Sequence, residues 1–158
     1  MTLPKHLRPR WRYLAVAFHT WPDASVTREL FDRAVRRSAR SVLGDIGTAQ
    51  MDLKILAFSY TDGAGTAVVR TRRETVQETR AAIACVSEID GQPLGVHIRG
   101  TSGTVRSCEE NYLGRETEEL PENTVVFEGA ERPAILRGAD IDVRVGKAFV
   151  GATRLDLE

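Results

Sequence analysis

The residues best suited to chemistry in this chain are its arginines. Of the 22 basic residues in the 158-residue sequence, 19 are arginine and 3 are lysine. A guanidinium presents a planar fork that meets two phosphate oxygens at once, so an arginine-rich chain has the donors a nucleic-acid backbone needs. The same bias arises in a GC-rich or salt-adapted genome that avoids lysine, and composition leaves both explanations open. Placement says more. The formal net charge is zero, but residues 1–80 carry 14 Lys+Arg against 8 Asp+Glu, and residues 81–158 carry 8 against 14. The basic half fits an anionic partner, and the acidic half reads as an appendage.

The basic residues fall in three groups. Lys5, Arg8, Arg10 and Arg12 lie with Pro4 and Pro9 in residues 1–12, an extended arm able to track a phosphate backbone or simply a solvated terminus. Arg70, Arg72 and Arg73 close an apolar segment. Arg33, Arg36, Arg37 and Arg40 recur at helical spacing, with Glu29 and Asp32 four residues before Arg33 and Arg36, which favours a solvated face slightly over an RNA-facing one.

Other chemistry is sparse. No catalytic constellation is visible. His6, His19 and His97 are scattered, and Cys85 and Cys108 form no CxxC pair, so a metal site is not expected; the thiols read as buried or half-buried positions on helices. The P-loop pattern GxxxxGK[ST] is absent. One stretch stands out, Leu94–Leu113, with the sequence LGVHIRGTSGTVRSCEENYL. It reads as an apolar strand, a Gly-Thr-Ser-Gly-Thr turn and a short amphipathic helix. The turn offers backbone N–H groups and hydroxyls to an anion. A plain helix cap supplied by Thr101 or Ser102 is the favoured reading of the two.

The elements that would position these groups follow from periodicity. A strand is expected at Tyr13–His19 and a helix at about Thr27–Leu43, ended by Gly44-Asp45-Ile46-Gly47. A second strand at Ala49–Tyr60 turns at Asp62-Gly63-Ala64-Gly65 into a third at Thr66–Thr71. A second helix at about Glu74–Ile89 breaks at Asp90-Gly91 before a fourth strand, Leu94–Arg99. The order β-α-β-β-α-β predicts an α+β fold of the ferredoxin-like, RNA-recognition-like kind, an antiparallel sheet with two helices on one face. The third strand, TAVVRT, lacks the aromatics on which RNA-recognition modules stack bases, so stacking on the open face is not expected. Apolar residues on both faces of the first two strands predict a cover for that face. A helix at about Gly103–Leu113, with Val105, Cys108 and Tyr112 on its apolar side, is the candidate. Beyond Gly114 the composition turns acidic, with six glutamates in residues 114–131 (Glu116, Glu118, Glu119, Glu122, Glu128 and Glu131). Thr124–Phe127, Ala139–Val145 and Ala148–Leu157 read as short strands punctuated by Gly129, Pro133, Gly138, Gly146 and Gly151. The expected division is a basic arm (1–12), a ferredoxin-like domain (13–113) and an acidic, β-rich extension (114–158). No apolar run reaches the roughly 18 residues of a membrane span, and the basic start has no apolar stretch behind it, so a cytoplasmic location is expected.

Three stretches carry a resemblance: RWRYLAV, GDIGTAQMDLKILAFSYTDGAGTAVVRTRRE and IRGTSGTVRSCEENYL. Together, over about Arg10–Leu113, they resemble the ribonuclease P protein subunit of archaea and eukaryotes that in archaea is called protein component 2. The most specific part is Gly100, Ser102, Gly103, Thr104, Arg106 and Cys108. The resemblance implies a ferredoxin-like subunit of a ribonucleoprotein that removes the 5′ leader from precursor tRNA. It implies that the ribonuclease P RNA carries the active site with its Mg²⁺, and that the protein binds no cofactor of its own. It also implies pairing with the TIM-barrel-like protein component 3, beside other ribonuclease P protein subunits. The chain would then hold no general acid, base or nucleophile. Its work would be to screen and hold packed phosphates, for which arginines at strand ends and on the arm are suited: Arg10, Arg12, Arg72, Arg73, Arg99 and Arg106, with Arg72 and Arg73 foremost. Two other readings stay open: a small-molecule regulatory domain with a ligand at Gly100–Thr104, and an interaction module working only through a protein partner.

Overall fold

The structure, a computed structural model, describes residues 2–113, 122–137, 140–146 and 148–157. After a 3-10 turn at Lys5–Leu7, the elements are β1 (Trp11–His19), α1 (Arg28–Met51), β2 (Lys54–Thr61), β3 (Ala64–Arg72), α2 (Val76–Ala84), the two-residue strands β4 (Glu88–Ile89) and β5 (Gln92–Pro93), β6 (Gly95–Ser102) and α3 (Val105–Cys108), which widens into a π turn at Glu109–Leu113. Then come β7 (Glu122–Phe127), β8 (Ala130–Arg137), β9 (Asp140–Val145) and β10 (Ala148–Thr153).

The first sheet has the order β2-β3-β1-β6 with antiparallel neighbours throughout, which is the ferredoxin-like arrangement predicted from the element order. Alternation along the strands decides its two faces. Leu14, Val16 and Phe18 of β1 lie beside Val69, Ala67 and Gly65 of β3 and pack under the helices with Phe31, Val35, Ala39 and Ile83. At one end of this core four rings cluster. Phe18 stacks on Phe31 at 5.1 Å, on Phe58 at 5.8 Å and on Tyr60 at 6.0 Å between centroids. The Tyr60 hydroxyl donates to Ala24 O at 2.8 Å and bonds the Thr20 hydroxyl at 2.7 Å, so its polar end is satisfied inside the protein.

α1 begins at an N-cap, Thr27, whose hydroxyl accepts from Leu30 N at 3.2 Å. Gly44 breaks the helical path where a terminator was expected, with φ +72°. The helix nevertheless resumes and runs to Met51, closed by Asp52 in the left-handed conformation. The strand expected from Ala49 therefore starts only at Lys54. Thr48 donates back to Gly44 O at 2.7 Å in the resumed segment, and Met51 is buried from the helix rather than from the sheet. α2, by contrast, is shorter than expected. It stops at Ala84, leaving Cys85 exposed, and Asp90-Gly91, both with positive φ, form the turn between β4 and β5 rather than the end of the helix.

The stretch that closes the first sheet differs most from its expected form. β6 runs through Ser102, so Gly100, Thr101 and Ser102 pair with Ala15, Leu14 and Tyr13 instead of turning. The register shifts at Ala15/Val16, where Arg99 is the extra residue of a bulge. The cap of α3 is Thr104, which accepts from Ser107 N at 3.1 Å, rather than Thr101 or Ser102. α3 and its π turn do cover the sheet face away from α1 and α2. Cys108 is fully buried against Ala15 and Val68, with Tyr13, Tyr112 and Leu113 around it. Its thiol donates to Tyr13 O at 3.6 Å, and its pKa is pushed up to about 11 by burial and then by the charge of Glu109.

Gly100 makes this closure possible. A Cβ there would lie 2.3 Å from the Tyr112 ring. Gly100→Ala is therefore expected to cost about 1–3 kcal/mol through overpacking, read as a lower denaturation midpoint with an unchanged slope. Adding Tyr112→Ala should make the glycine change nearly neutral, and a full extra cost in the double variant would contradict the packing account.

β7–β10 form a second antiparallel sheet, ordered β10-β9-β8-β7, with Phe127, Ala134, Ile141, Val143 and Ala152 on its buried side. It meets the far end of β1. His19 Nε2 lies 2.7 Å from Asp142 Oδ2, both buried. Phe149 stacks on Trp21 at 5.0 Å, and the Arg144 guanidinium sits 4.8 Å from the Trp21 ring centroid. Gly95 leaves the space for His19, since a Cβ there would come within 2.1 Å of the imidazole. Glu116, Glu118 and Glu119 of the acidic run, with Gly138 and Ala139, lie outside the described residues.

Candidate nucleic-acid interface

A basic cleft opens where the arm meets the end of β3. His6, Arg8, Pro9, Arg10, Arg72, Arg73 and Glu74 line about 470 Å³ of it. The arm is fixed there by a backbone bond from Arg73 N to Arg10 O at 2.9 Å, which adds one rung beyond the end of the β1–β3 ladder. A buried threonine network holds the other wall. The Thr71 hydroxyl bonds Met51 O at 3.2 Å, Thr79 Oγ1 at 2.7 Å and Thr75 Oγ1 at 2.9 Å. Thr75 Oγ1 in turn donates to Arg72 O at 3.1 Å. The backbone carrying Arg72 and Arg73 is thus tied on one side to the arm and on the other to a threonine network anchored by the buried Thr71–Thr79 bond. Arg10 and Arg73 are exposed, and Arg72 pairs with Asp52 at 3.0 Å while keeping about a third of its side chain accessible. Such an arrangement can take phosphates: several preset guanidiniums converge with few carboxylates among them.

The six arginines singled out from sequence do not form one patch. Arg10, Arg72 and Arg73 line the cleft. Arg12 donates to the adjacent Trp11 O at 2.9 Å and reaches toward Gly103, on the helix-bearing face of β1. Arg99, at the bulge, donates to Tyr112 O at 3.2 Å and ties the π turn to the sheet. Arg106 is exposed but pairs with Glu110 one turn on, at 2.7 Å. On α1, Arg36 is a structural clip, bonded to Asp32 and donating to Leu53 O at 2.8 Å, while Arg33, Arg37 and Arg40 remain exposed.

Two participants were missed from sequence. Trp11 and Arg70 lie on the same sheet face as Arg72, and both guanidiniums sit over the indole, Arg70 at 3.8 Å and Arg72 at 4.3 Å from the ring centroid. The signal was available in the two-residue spacing of Arg70 and Arg72. The aromatic that holds them is Trp11 on the first strand, not a residue of TAVVRT. His6 and Arg8 complete the cleft from the arm. Among the described residues no three His, Cys, Asp or Glu side chains gather in a way that could hold a metal. The backbone at Gly100–Ser102, the place expected for a small ligand, is engaged in strand pairing.

The family model described as the Rpp14/Pop5 family matches residues 12–113. The chain belongs to this family. Among the relatives, the ribonuclease P protein component 2 of Halorubrum lacusprofundi is 53% identical over 156 residues, covering 99% of this chain and 98% of the relative. That of Natronomonas pharaonis is 50% identical, covering 98% of this chain and 96% of the relative. The Methanosarcina barkeri protein of the same name is 36% identical over 107 residues, 68% of this chain and 75% of its own length. A solved structure of yeast ribonuclease MRP aligns with 63% of this chain and 79% of its own chain, at 16% identity and a TM-score of 0.47. In this Rpp14/Pop5 chain, Gly100 admits Tyr112, Thr104 caps α3 and Cys108 fills the covered sheet face.

Proposed function

We propose that this chain is a protein subunit of ribonuclease P that binds and stabilises the catalytic RNA while it removes the 5′ leader from precursor tRNA. The observation that carries this reading is the basic cleft of Arg8, Arg10, Arg72 and Arg73 in a chain that matches relatives named ribonuclease P protein component 2 over nearly its whole length. A folded RNA that works with divalent ions crowds its own phosphates. Fixed guanidiniums at a strand end lower that repulsion without reading sequence. On this reading the chain contributes no acid, base or nucleophile, and the Mg²⁺ ions belong to the RNA. Its protein partners are the TIM-barrel-like component 3 and the other ribonuclease P subunits, and the particle works in the cytoplasm. None of the chain's described helices is long and apolar enough to cross a membrane.

The test is affinity purification of the full chain from its native cell at near-physiological salt, with sequencing of the bound RNA. One abundant structured RNA whose eluate cleaves precursor tRNA is the expected result. Recovery of the chain without RNA, together with thermal stabilisation by a small metabolite, would overturn the reading.

A further inference from the structure

Among the described residues, the face of the first sheet that α3 covers stays partly accessible at its β1 start. There Trp11 and Tyr13 of β1 stand opposite Arg72 and Arg70 of β3, and Lys54 of β2 stands opposite Arg70 on the other side. Trp11, Tyr13, Arg70 and Arg72 are half-buried and Lys54 is exposed. Arg70 is set apart from the arginines of this region that carry ion pairs. Arg36, Arg72 and Arg106 each pair with a carboxylate. Arg70 has no carboxylate partner among the described residues, and its Nε is enclosed without an acceptor. Its guanidinium lies instead 3.8 Å from the centroid of the Trp11 indole. Stacking on an indole supplies attraction from the ring quadrupole and fixes the plane of the guanidinium, but leaves its edge donors unspent. A half-buried cation held in one orientation with no counter-ion is an arrangement that an external anion completes.

We propose that Trp11, Arg70 and Lys54 form a phosphodiester site on the sheet face, distinct from the cleft and joined to it through Arg72. This deepens the reading of the chain as a ribonuclease P subunit and rests on it. Arg70 makes the contact to an RNA phosphate, Lys54 adds a second charge beside it, and Trp11 is a positioning residue that touches no RNA. Arg72 belongs to both places, stacking on the same indole and lining the cleft, so one RNA backbone passing from the arm across the end of β3 would meet both sites in turn.

The test uses the full chain and in-vitro-transcribed ribonuclease P RNA, with affinity measured from low to moderate salt. Arg70→Ala is expected to weaken binding about tenfold and to reduce the magnitude of the log–log salt slope by about 0.7–0.9, the loss of one phosphate contact. Arg70→Lys keeps the charge but not the flat stack, and should restore the slope while recovering only part of the affinity. Trp11→Leu removes no charge, yet should lower both affinity and slope toward the Arg70→Ala values, with Trp11→Phe close to the parent. In an Arg72→Ala background, which removes the second arginine on the indole, the double variant of Trp11→Leu and Arg70→Ala should bind no worse than Arg70→Ala alone, because the indole then acts through Arg70. A purely structural Trp11 would lower the melting temperature and leave the salt slope unchanged, and additive losses in the double variant would equally overturn the proposal. Paired replacement of Arg10 and Arg73 by alanine in the same assay separates the two levels. If it weakens binding while the Trp11 and Arg70 variants do not, the sheet-face site is wrong and the RNA-binding reading stands. If no variant changes RNA affinity, both fail.

Discussion

Replacing Arg10, Arg72 and Arg73 together by alanine is expected to weaken binding to ribonuclease P RNA about 100-fold, at roughly 1 kcal/mol for each exposed charged contact. The magnitude of the salt slope should fall by about 2–3, since each neutralised phosphate accounts for roughly 0.7–0.9 of it. The fold should survive. Arg10 and Arg73 are exposed, Arg72 is half-buried but pairs only with the exposed Asp52 and the edge of the sheet at Trp11, the Arg10–Arg73 bond is made by backbone atoms, and the threonine network beneath them involves no arginine side chain. The matched control is the triple alanine replacement of Arg33, Arg37 and Arg40, which removes the same charge from the exposed side of α1. If the effect is local, the control changes affinity by no more than about threefold. Equal losses in the two triples would show that net charge, rather than the cleft, governs binding.

Phe18→Ala should be among the most damaging single substitutions in the chain, costing about 3–5 kcal/mol. Phe18 is the hub of the ring cluster, in contact with Phe31, Phe58 and Tyr60 at once. It also lies against Gly65 so closely that a Cβ there would come within 2.2 Å of the ring. On the β3 side no side chain can relax into its space, because Gly65 carries none; on the β6 side the residue opposite is the smaller Val96. The expected fall in melting temperature is about 10 °C for a domain of this size. Phe58→Leu, at the half-buried edge of the same cluster, should cost about 1–1.5 kcal/mol. A Phe18→Ala variant within 1 kcal/mol of the parent by chemical denaturation would show that the cluster is not the core's centre.

The alternation of Leu14, Val16 and Phe18 against Ala67 and Val69, and the Asp62-Gly63 turn between β2 and β3, made the ferredoxin-like sheet readable from the residues. Its boundaries were less readable. Gly44 carries the backbone break it was expected to carry, yet α1 continues, because a local glycine signal says nothing about whether the next turn finds a place to bury Met51. The Gly100–Thr104 segment misled for a related reason. Its glycines and hydroxyls match a turn, but Gly100 is there to admit Tyr112, a contact twelve residues away in sequence that no local pattern encodes. That Arg10, Arg72 and Arg73 lie together was legible because strand ends gather charge at one edge of a sheet. Arg99 and Arg106 were not separable from them, since the bulge that turns Arg99 toward Tyr112 O and the helical turn that brings Glu110 to Arg106 are both properties of the folded chain.

The most direct measurement is precursor-tRNA cleavage by a reconstituted ribonuclease P across a Mg²⁺ titration, with the full chain, with the Arg10, Arg72 and Arg73 triple variant, or with the chain omitted. The expected result is that the chain alone never cleaves, that omitting it raises the Mg²⁺ needed for half-maximal cleavage several-fold, and that the triple variant behaves nearly as an omission while still folding. Cleavage by the chain without RNA, or a titration that the triple variant supports as well as the parent does, would contradict the account.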